Sequence, residues 1–436
     1  MNKLTLALLG ALLLSAETLA ADTDVDTAVA AIEDQVISWR HDFHRHPELS
    51  NREFRTAEIV AEHLRSLRFD EVHTQIAHTG VIGVLKGGKP GPTVALRADM
   101  DALPVKEITG LSFASTATGE YRGATVPVMH ACGHDAHIAI LMGAASVLAE
   151  RRDQIAGTVA FIFQPAEEGP PPPEDGGARL MLEENLMSLA HQPSAFFGLH
   201  VFPGDAGELS YRPRGTMAAA DMIKITVTGR QTHGSSPWLG VDPIVVASQI
   251  VTALQTVPSR QLDVTVAPSV LTIGKISGGL RGNIIPDEVE MLGTLRNFDD
   301  DVREVMLERI ERTVTKVAES AGATARFEIE HSVPVTWNDP DLVDRMVPSL
   351  QKASALPVRE RALIMAAEDF SYFQKVKPGF YFFLGINPET MSDELRAKQS
   401  NHSPMFTVND AAMGTGVRAM VNVALDYLAG EQSVTN

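Results

Sequence analysis

Residues 129–169 read MHACGHDAHIAILMGAASVLAERRDQIAGTVAFIFQPAEEG, and this stretch decides the fold class of the chain. Residues 136–150 have the apolar character of a packed helix, and residues 158–163 form a short apolar run that is typical of a buried strand. A helix that leads into a buried strand is the repeating unit of α/β proteins. Polar residues precede the helix and follow the strand, and ligands of open α/β sheets bind at the ends of strands.

The alternation of helix and strand patterns continues on both sides of this stretch. Amphipathic runs predict helices at 29–39 and 56–67, and apolar runs predict strands at 81–85, 93–96 and 195–199. We therefore predict an α/β domain whose mostly parallel sheet is covered by helices on both faces.

The pattern changes near Gly215, and the α/β pattern returns near Pro340. Between these points the predicted order is strand, helix, strand, strand, helix, strand, which is typical of a compact α+β sandwich. We predict a discontinuous α/β domain at 27–214 and 332–431, with the α+β sandwich inserted at 215–331.

The N-terminus has the pattern of a secretory signal peptide at residues 1–20. Lys3 precedes an apolar run, and small residues provide a cleavage site near Ala20 or Ala21. The run is shorter than the roughly 20 residues of a membrane-spanning helix, so we expect no stable membrane insertion. We predict an exported protein that is periplasmic or secreted.

The composition is that of an acidic globular protein. The 436 residues carry a formal net charge of −18, and 44% of them are hydrophobic while 21% are charged. A surplus of acidic groups repels a phosphate backbone, so we expect no nucleic-acid partner.

Cys132 is the only cysteine of the chain, and it lies between His130 and His134. An unpaired thiol is a chemical liability in an exported protein, which favours a metal ligand over the alternative, a small buried hydrophobic residue. Gly133 is expected to supply a turn from which Cys132 and His134 converge. Asp135 is expected to be the N-cap of a helix that begins at the next residue.

Two adjacent carboxylates, Glu167 and Glu168, follow the strand at 158–163. Because neighbouring side chains after a strand end point in different directions, one can bind a metal while the other faces an open position as a general base. Two glutamates in a loop are also commonly only solvated, and the pair alone leaves both interpretations open.

Two histidines and two aspartates also lie in loops or at the ends of predicted strands. His200 ends the apolar run at 195–199, and His402 lies in a turn-rich loop before the last predicted helix, so each is either a ligand or a structural histidine. Asp99 and Asp101 follow the strand at 93–96. One of them could orient a ligating histidine, and the alternative is a pair of turn-forming residues.

The chain contains an ordered set of short motifs, which are His46–Ser50, Arg97–Asp101, Met129–Asp135, Gln164–Gly169, Gly198–His200, Asn283–Asp287, Ala367–Phe370 and His402–Pro404. In this order they resemble the metal-dependent amidohydrolases and carboxypeptidases that include hippurate hydrolases, auxin-conjugate hydrolases and N-acyl-amino-acid hydrolases. The resemblance covers essentially the whole chain after the predicted signal peptide. It departs from the family at Pro170–Pro173, where relatives commonly have glycines.

The resemblance implies that Glu167 is the catalytic base. It also implies that the α/β domain is catalytic and that the insert is a lid through which the chain forms a homodimer or a larger homo-oligomer. The implied metal ligands are Cys132, His134, Glu168, His200 and His402.

Three residues of the insert are candidates for contacts with the substrate. The resemblance implies that His233 reaches the active site of a partner subunit, where it would stabilise an oxyanion. Asn283 and Arg296 are candidates for binding the substrate's carboxylate, the arginine because its planar fork matches one.

Five ligands suit two divalent ions that share a bridging ligand. Mixed sulfur, nitrogen and oxygen ligation favours Zn, while Mn, Co and Ni are alternatives. We predict that an amide of an N-acyl amino acid, with an aromatic acyl group or amino acid, is cleaved by metal-activated water. Glu167 would take the proton of this water and pass it to the leaving amine.

Two other functions fit parts of the sequence. A dipeptidase or carboxypeptidase would use the same site on peptides, and a non-enzymatic periplasmic protein would bind metal without hydrolysis. A serine hydrolase is disfavoured, because Ser235 and Ser236 lie in no nucleophile elbow.

Overall fold

The computed structural model describes residues 25–388 and 390–434. The predicted signal peptide, residues 1–20, lies outside the described residues. Among the described helices, none combines the length and the apolar composition needed to cross a membrane. The chain divides into two compact units. The first unit contains the described residues up to Arg212, Asn338–Arg361 and the described residues from Phe373 onward. The second unit contains Pro213–Trp337 and Ala362–Tyr372.

The helices are, in chain order, α1 (25–45), α2 (Phe54–Ser66), α3 (His134–Glu150), α4 (Gly177–Glu183), α5 (Leu186–Leu189), α6 (Pro243–Leu254), α7 (Asp300–Ser320), α8 (Pro340–Ala353), α9 (Ser371–Val376), α10 (Asp393–Lys398) and α11 (Met413–Val434). The strands are β1 (Glu71–Ile76), β2 (Gly80–Lys86), β3 (Lys89–Asp99), β4 (Thr118–Tyr121), β5 (Ala124–Pro127), β6 (Ala156–Gln164), β7 (Ala195–Asp205), β8 (Leu209–Tyr211), β9 (Arg214–Met217), β10 (Ala219–Thr228), β11 (Thr232–His233), β12 (Ser269–Ser277), β13 (Ile284–Ile285), β14 (Glu288–Asn297), β15 (Thr324–Val333), β16 (Thr336–Asn338), β17 (Arg359–Glu360) and β18 (Gly379–Asn387).

The first unit is built on an eight-stranded sheet in the order β1-β2-β6-β3-β7-β18-β8-β17. Its centre is parallel, because β3 pairs in parallel with β6 and β7, and β7 pairs in parallel with β18. The central strands are apolar runs that are buried almost throughout, as expected for a sheet flanked by helices. The predicted α/β class is confirmed.

Burial of helix α3 explains why residues 129–169 decide the fold class. Every residue from His134 to Leu148 is buried. A helix that is apolar on all sides belongs in a protein interior, and here α3 packs against both α11 and β3. The polar residues at its start are therefore held at a fixed place beside the sheet.

The second unit contains an antiparallel sheet in the order β12-β14-β10-β15, with α6 and α7 packed on it. In β10 the residues Ile223, Ile225 and Val227 alternate with exposed or half-buried neighbours, which is the pattern of a sheet with one covered face. Residues 362–372 belong to this unit because Met217 forms a bridge with Ile364. The prediction from sequence had bounded the insert at 215–331 and had not included that segment.

The topology brings several polar segments to one edge of the first unit. Strands β6, β3 and β7 are parallel neighbours, so their carboxyl ends lie side by side. Strand β3 ends at Asp99, β6 ends just before the Glu167–Glu168 pair, and β7 carries His200.

Candidate metal and catalytic site

The turn between Cys132 and His134 depends on Gly133. Its φ of +94° is in the left-handed region, and an added Cβ would lie 2.2 Å from Cγ2 of Val201. Any other residue would be strained and would collide with β7. Gly133 therefore fixes the turn that places the Cys132 thiol and the His134 ring on the same side.

The prediction that Asp135 caps α3 is wrong. The helix begins at His134 with Gly133 as its N-cap, and no side chain caps it. The buried carboxylate of Asp135 instead accepts hydrogen bonds from Arg40 at 3.3 Å and from Nδ1 of His44 at 2.9 Å. Two buried cationic partners hold it more strongly than a backbone N–H would, because charge-assisted hydrogen bonds are the stronger kind.

Cys132, His134 and His200 form a buried group whose potential ligand atoms all lie within 4.8 Å of one another. Sγ of Cys132 lies 3.5 Å from Nε2 of His200. The other ring nitrogen of His200, Nδ1, is 2.7 Å from the carbonyl oxygen of Val201, so it carries the proton and donates it. This hydrogen bond leaves the Nε2 lone pair available toward the thiol.

Cys132, Glu168 and His402 form a second group with the same spacing limit. Nε2 of His402 lies 3.0 Å from Oε1 of Glu168. His402 has a φ of +67°, which a non-glycine residue adopts only when its surroundings enforce it. Here the N–H of His402 donates to the carbonyl of Ala131 at 2.7 Å, and the Asn401 side chain donates to the carbonyl of Cys132 at 3.0 Å.

Asp101 holds both glutamates and one histidine in place. Its two carboxylate oxygens accept the backbone N–H groups of Glu167 and Glu168, each at 3.1 Å, and one of them lies 3.3 Å from Nδ1 of His134. Burial opposes its ionisation, yet His134 and Ser50 hold the pKa of Asp101 below its ordinary value. Asp101 is therefore a carboxylate that orients its neighbours, as one of the two sequence interpretations expected.

Asp99 is ionised by a different set of partners. Arg97 donates to it at 2.6 Å, and Nδ1 of His137 donates to its other oxygen. Burial opposes the charge, but Arg97 and the two histidines His134 and His137 hold the pKa of Asp99 well below its ordinary value. Since Nε2 of His137 accepts the N–H of Val201 at 2.8 Å, both nitrogens of that ring are used and His137 is not a ligand candidate.

Glu53 is a residue of this site that the sequence did not reveal. Its fully buried carboxylate accepts the N–H of Ala166 at 2.9 Å and the hydroxyl of Thr79 at 2.6 Å. Burial, followed by the charge of Asp101, raises the pKa of Glu53 to about 8. Glu53 follows Ser50 by three residues at the start of α2, a spacing that indicates a helix-capping box and conceals its contact with the Ala166 turn.

The residues present fit a divalent cation. Nε2 of His134 is buried and makes no hydrogen bond with any described residue, and its carboxylate neighbours, on Asp99 and Glu167, lie 3.8 Å away. Burial lowers the pKa of His134, but Asp99, Asp101 and Glu168 outweigh it and raise this pKa to about 10, so the surrounding acids favour positive charge at this point. Burial, with Glu168 and Glu167, raises the pKa of the Cys132 thiol well above its ordinary value, so a thiolate there requires a cation beside it.

The three other predicted site residues lie on the second unit. His233 pairs with Ile284 through β11 and β13, and the N–H of Gly234 donates to the carbonyl of Asn283 at 2.9 Å, so His233 and Asn283 are neighbours. Arg296 lies on β14, half-buried, and donates to the carbonyl of Leu295 at 2.9 Å. Burial lowers its pKa. The structure thus brings the predicted ligands, Glu167 and the two aspartates together on the first unit, and it places these three residues on the second.

Comparison with known proteins identifies the family to which the chain belongs. Residues 95–426 match peptidase family M20/M25/M40. The chain is 38% identical over 401 residues to thermostable carboxypeptidase 2 of Saccharolobus solfataricus, covering 92% of this chain and 97% of the relative. It is 33% identical over 399 residues to N-acetylcysteine deacetylase of Bacillus subtilis, covering 91% of this chain and 98% of the relative.

A solved structure extends the likeness to three dimensions. The YxeP protein of Bacillus subtilis, a dinuclear metal binding peptidase from the M20 family, superposes with a TM-score of 0.76 at 32% identity, covering 92% of this chain and 99% of that one. The chain belongs to peptidase family M20/M25/M40, and the predicted family resemblance is confirmed. It is a metal-dependent hydrolase of amide or peptide bonds, which sets aside the alternative of a non-enzymatic metal-binding protein.

Proposed function

We propose that the enzyme cleaves the amide bond of N-acyl amino acids, with Glu167 as the general base. The observation that carries this proposal is the arrangement of two groups of potential ligands that share Cys132, with Glu167 beside them. A site that only stored metal would have no use for a further carboxylate held at its edge.

The two groups of potential ligands would hold two divalent ions, with Cys132 as the shared ligand. His134 and His200 complete one group, and Glu168 and His402 complete the other. Zn suits a set of thiolate, imidazole and carboxylate, and Mn, Co and Ni are alternatives. When bound, such ions polarise the amide carbonyl and lower the pKa of water toward about 7.

The surroundings of Glu167 support its proposed role in proton transfer. Its side chain is only 9% exposed, and Oε2 lies 3.8 Å from Nε2 of His134. Asp101 fixes its backbone N–H, and Glu53 fixes the preceding residue, Ala166. The Glu167 carboxylate accepts the proton of the attacking water and then donates it to the nitrogen of the departing amino acid.

His233 would supply a hydrogen bond to the oxyanion that forms during this attack. Its Nδ1 accepts the backbone N–H of Ser235 at 3.0 Å, so the ring proton is on Nε2, which can donate. We propose that it acts in the active site of a partner subunit of a homodimer. Asn283 and Arg296 would bind the carboxylate of the amino acid.

We also propose that the substrate carries an aromatic acyl group or amino acid. Two exposed apolar side chains, Trp238 and Leu239, follow His233 by a few residues. Exposed apolar surface of this kind favours flat apolar groups. We also retain the proposal that the enzyme is exported, as the signal-peptide pattern at residues 1–20 indicates.

One experiment tests the substrate class and the metal dependence together. The protein is stripped with a chelator, reconstituted with Zn, Mn, Co or Ni, and assayed on N-acetyl, N-benzoyl and indole-acyl amino acids and on unblocked dipeptides. We expect hydrolysis only after reconstitution, with the aryl-acyl compounds turned over fastest. The similarity to a carboxypeptidase favours the alternative of peptide hydrolysis, and faster cleavage of dipeptides than of every N-acyl amino acid would establish it.

A further inference from the structure

The first unit contains a cavity of about 220 Å³ that has no part in the chemistry proposed above. Its walls come from the end of β7, from β8 and β17, and from Gly385 of β18. Polar and charged side chains meet the aromatic ring of Phe202 there, and a mixture of aromatic and polar lining is typical of a small-molecule pocket.

Arg361 is the residue that distinguishes this cavity. Its guanidinium carbon lies 4.4 Å from the ring centroid of Phe202 and 4.2 Å from that of Phe383. Cation–π contacts stabilise the charge but use none of the five N–H donors of the group. Nε of Arg361 is buried without a hydrogen-bond partner, and its guanidinium forms no ion pair within the described part of the chain.

The other charges that line the cavity already have partners. Nε of Arg359 lies 3.6 Å from Oε1 of Glu208, and Oε1 of Glu360 lies 3.4 Å from Arg212. Burial lowers the pKa of Arg361 to about 10, and the attraction of Glu208 offsets this only in part. A half-buried cation that faces a cavity in this way lacks the anion that would satisfy its donors.

We propose that this cavity binds a small organic carboxylate, whose oxygens accept hydrogen bonds from the Arg361 guanidinium while its organic part contacts Phe202. The planar fork of arginine matches a carboxylate with two parallel hydrogen bonds. The Phe202 ring favours a flat apolar body, and the cavity volume limits the ligand to a small acid such as benzoate. Binding at this cavity does not depend on which amide the enzyme cleaves.

Calorimetric titration of the metal-loaded enzyme with benzoate, and with its neutral isostere benzamide, tests the site. We expect benzoate to bind at least about tenfold more tightly than benzamide, and Arg361→Gln to weaken benzoate binding by at least about tenfold, as expected when a charged hydrogen-bonded pair is lost. The matched control is Arg179→Gln, which removes an exposed arginine already paired with Asp175 and Glu183 and should bind benzoate like the wild type.

Three outcomes would overturn the site. If Arg361→Gln binds benzoate with wild-type affinity, benzoate binds elsewhere, for example at the metal centre. Equal affinity of the wild type for benzoate and benzamide, or no binding of millimolar benzoate, would also contradict the proposal. Arg361→Lys keeps the charge without the planar fork, and we expect it to weaken binding at least about threefold. If Arg361→Gln does not fold, unchanged affinity in Arg361→Lys overturns the proposal in its place.

Discussion

The strand ends of the first unit and the β11–β13 pair of the second unit hold the predicted functional residues in opposite ways. Asp99 and Asp101 are almost fully buried, and their carboxylate oxygens are held by several neighbours. His233 and Asn283 are exposed: His233 ends β11 and Asn283 directly precedes β13, and each of these strands has two residues. Groups that must keep fixed distances are thus built into the core, whereas groups proposed to meet the substrate lie on a surface that few contacts restrain.

This contrast predicts different consequences of mutation. In the first unit, changing one residue should disturb its neighbours, because one carboxylate such as Asp101 serves several groups at once. In the second unit, a change at an exposed position should reduce turnover and leave folding and metal content intact.

Glu167→Gln should retain its metal and lose about three or more powers of ten in kcat. General acid–base catalysis is worth about 10²–10⁴-fold, and here both proton transfers are removed. Metal analysis and steady-state kinetics check this. The matched control is Glu183→Gln, an exposed glutamate paired with Arg179, which should keep wild-type kcat. A Glu167→Gln enzyme within tenfold of wild type would show that another group is the base.

His233→Ala should lower kcat by about 10²-fold, the usual loss when one oxyanion donor is removed, while the unfolding midpoint and metal content stay unchanged. His233 is exposed, so its removal leaves no cavity. The control is His73→Ala, a half-buried histidine of the first unit that contacts Glu71. Unchanged kcat in His233→Ala would remove this residue from the proposed mechanism.

Gly133→Ala should destabilise the protein by about 2–4 kcal/mol and reduce its metal content, because the new Cβ meets both an unfavourable φ and the Val201 side chain. Denaturant unfolding and metal analysis measure the two effects. Gly123→Ala is a suitable control, since that glycine also has a positive φ but nothing within 4 Å of an added Cβ. Equal losses of unfolding free energy in both variants would mean that the positive φ alone, and not the contact with β7, destabilises the protein.

Glu53→Ala should lower kcat about tenfold with little change in KM, because the Ala166 N–H loses its acceptor and the Glu167 turn loosens. Glu53→Gln keeps an acceptor oxygen in the same place and should recover most of kcat. A purely structural role would lower the unfolding free energy of both variants and leave the ratio of their kcat values near one.

Much of this architecture could be predicted from local sequence. Apolar runs in the strands and the largely apolar α3 identify the sheet and the buried helix, since an element buried on both sides has no polar face. The short motifs at strand ends locate the residues that the structure then brings together. Parallel neighbouring strands explain this convergence, because their carboxyl ends share one edge.

Other features depend on contacts between distant segments and leave no local signal. Asp135 resembles a helix cap in sequence, but the distant residues Arg40 and His44 determine its role. Glu53 is more than 100 positions from the turn that it holds, so its spacing indicates only a helix start. Residues 362–372 join the second unit through contacts with distant segments, such as the bridge between Met217 and Ile364, and no periodicity in the sequence predicts these contacts.

The proposed two-metal site depends most on Cys132 as the shared ligand of both ions. Its most direct test is the metal content per chain of wild type and Cys132→Ser, measured by mass spectrometry after equilibration with limiting Zn and gel filtration. We predict two ions per wild-type chain and fewer than one in the variant, because loss of the shared thiolate weakens both groups of ligands. Two ions in Cys132→Ser, bound as tightly as in wild type, would contradict the account and make Cys132 a buried thiol with no ligand role.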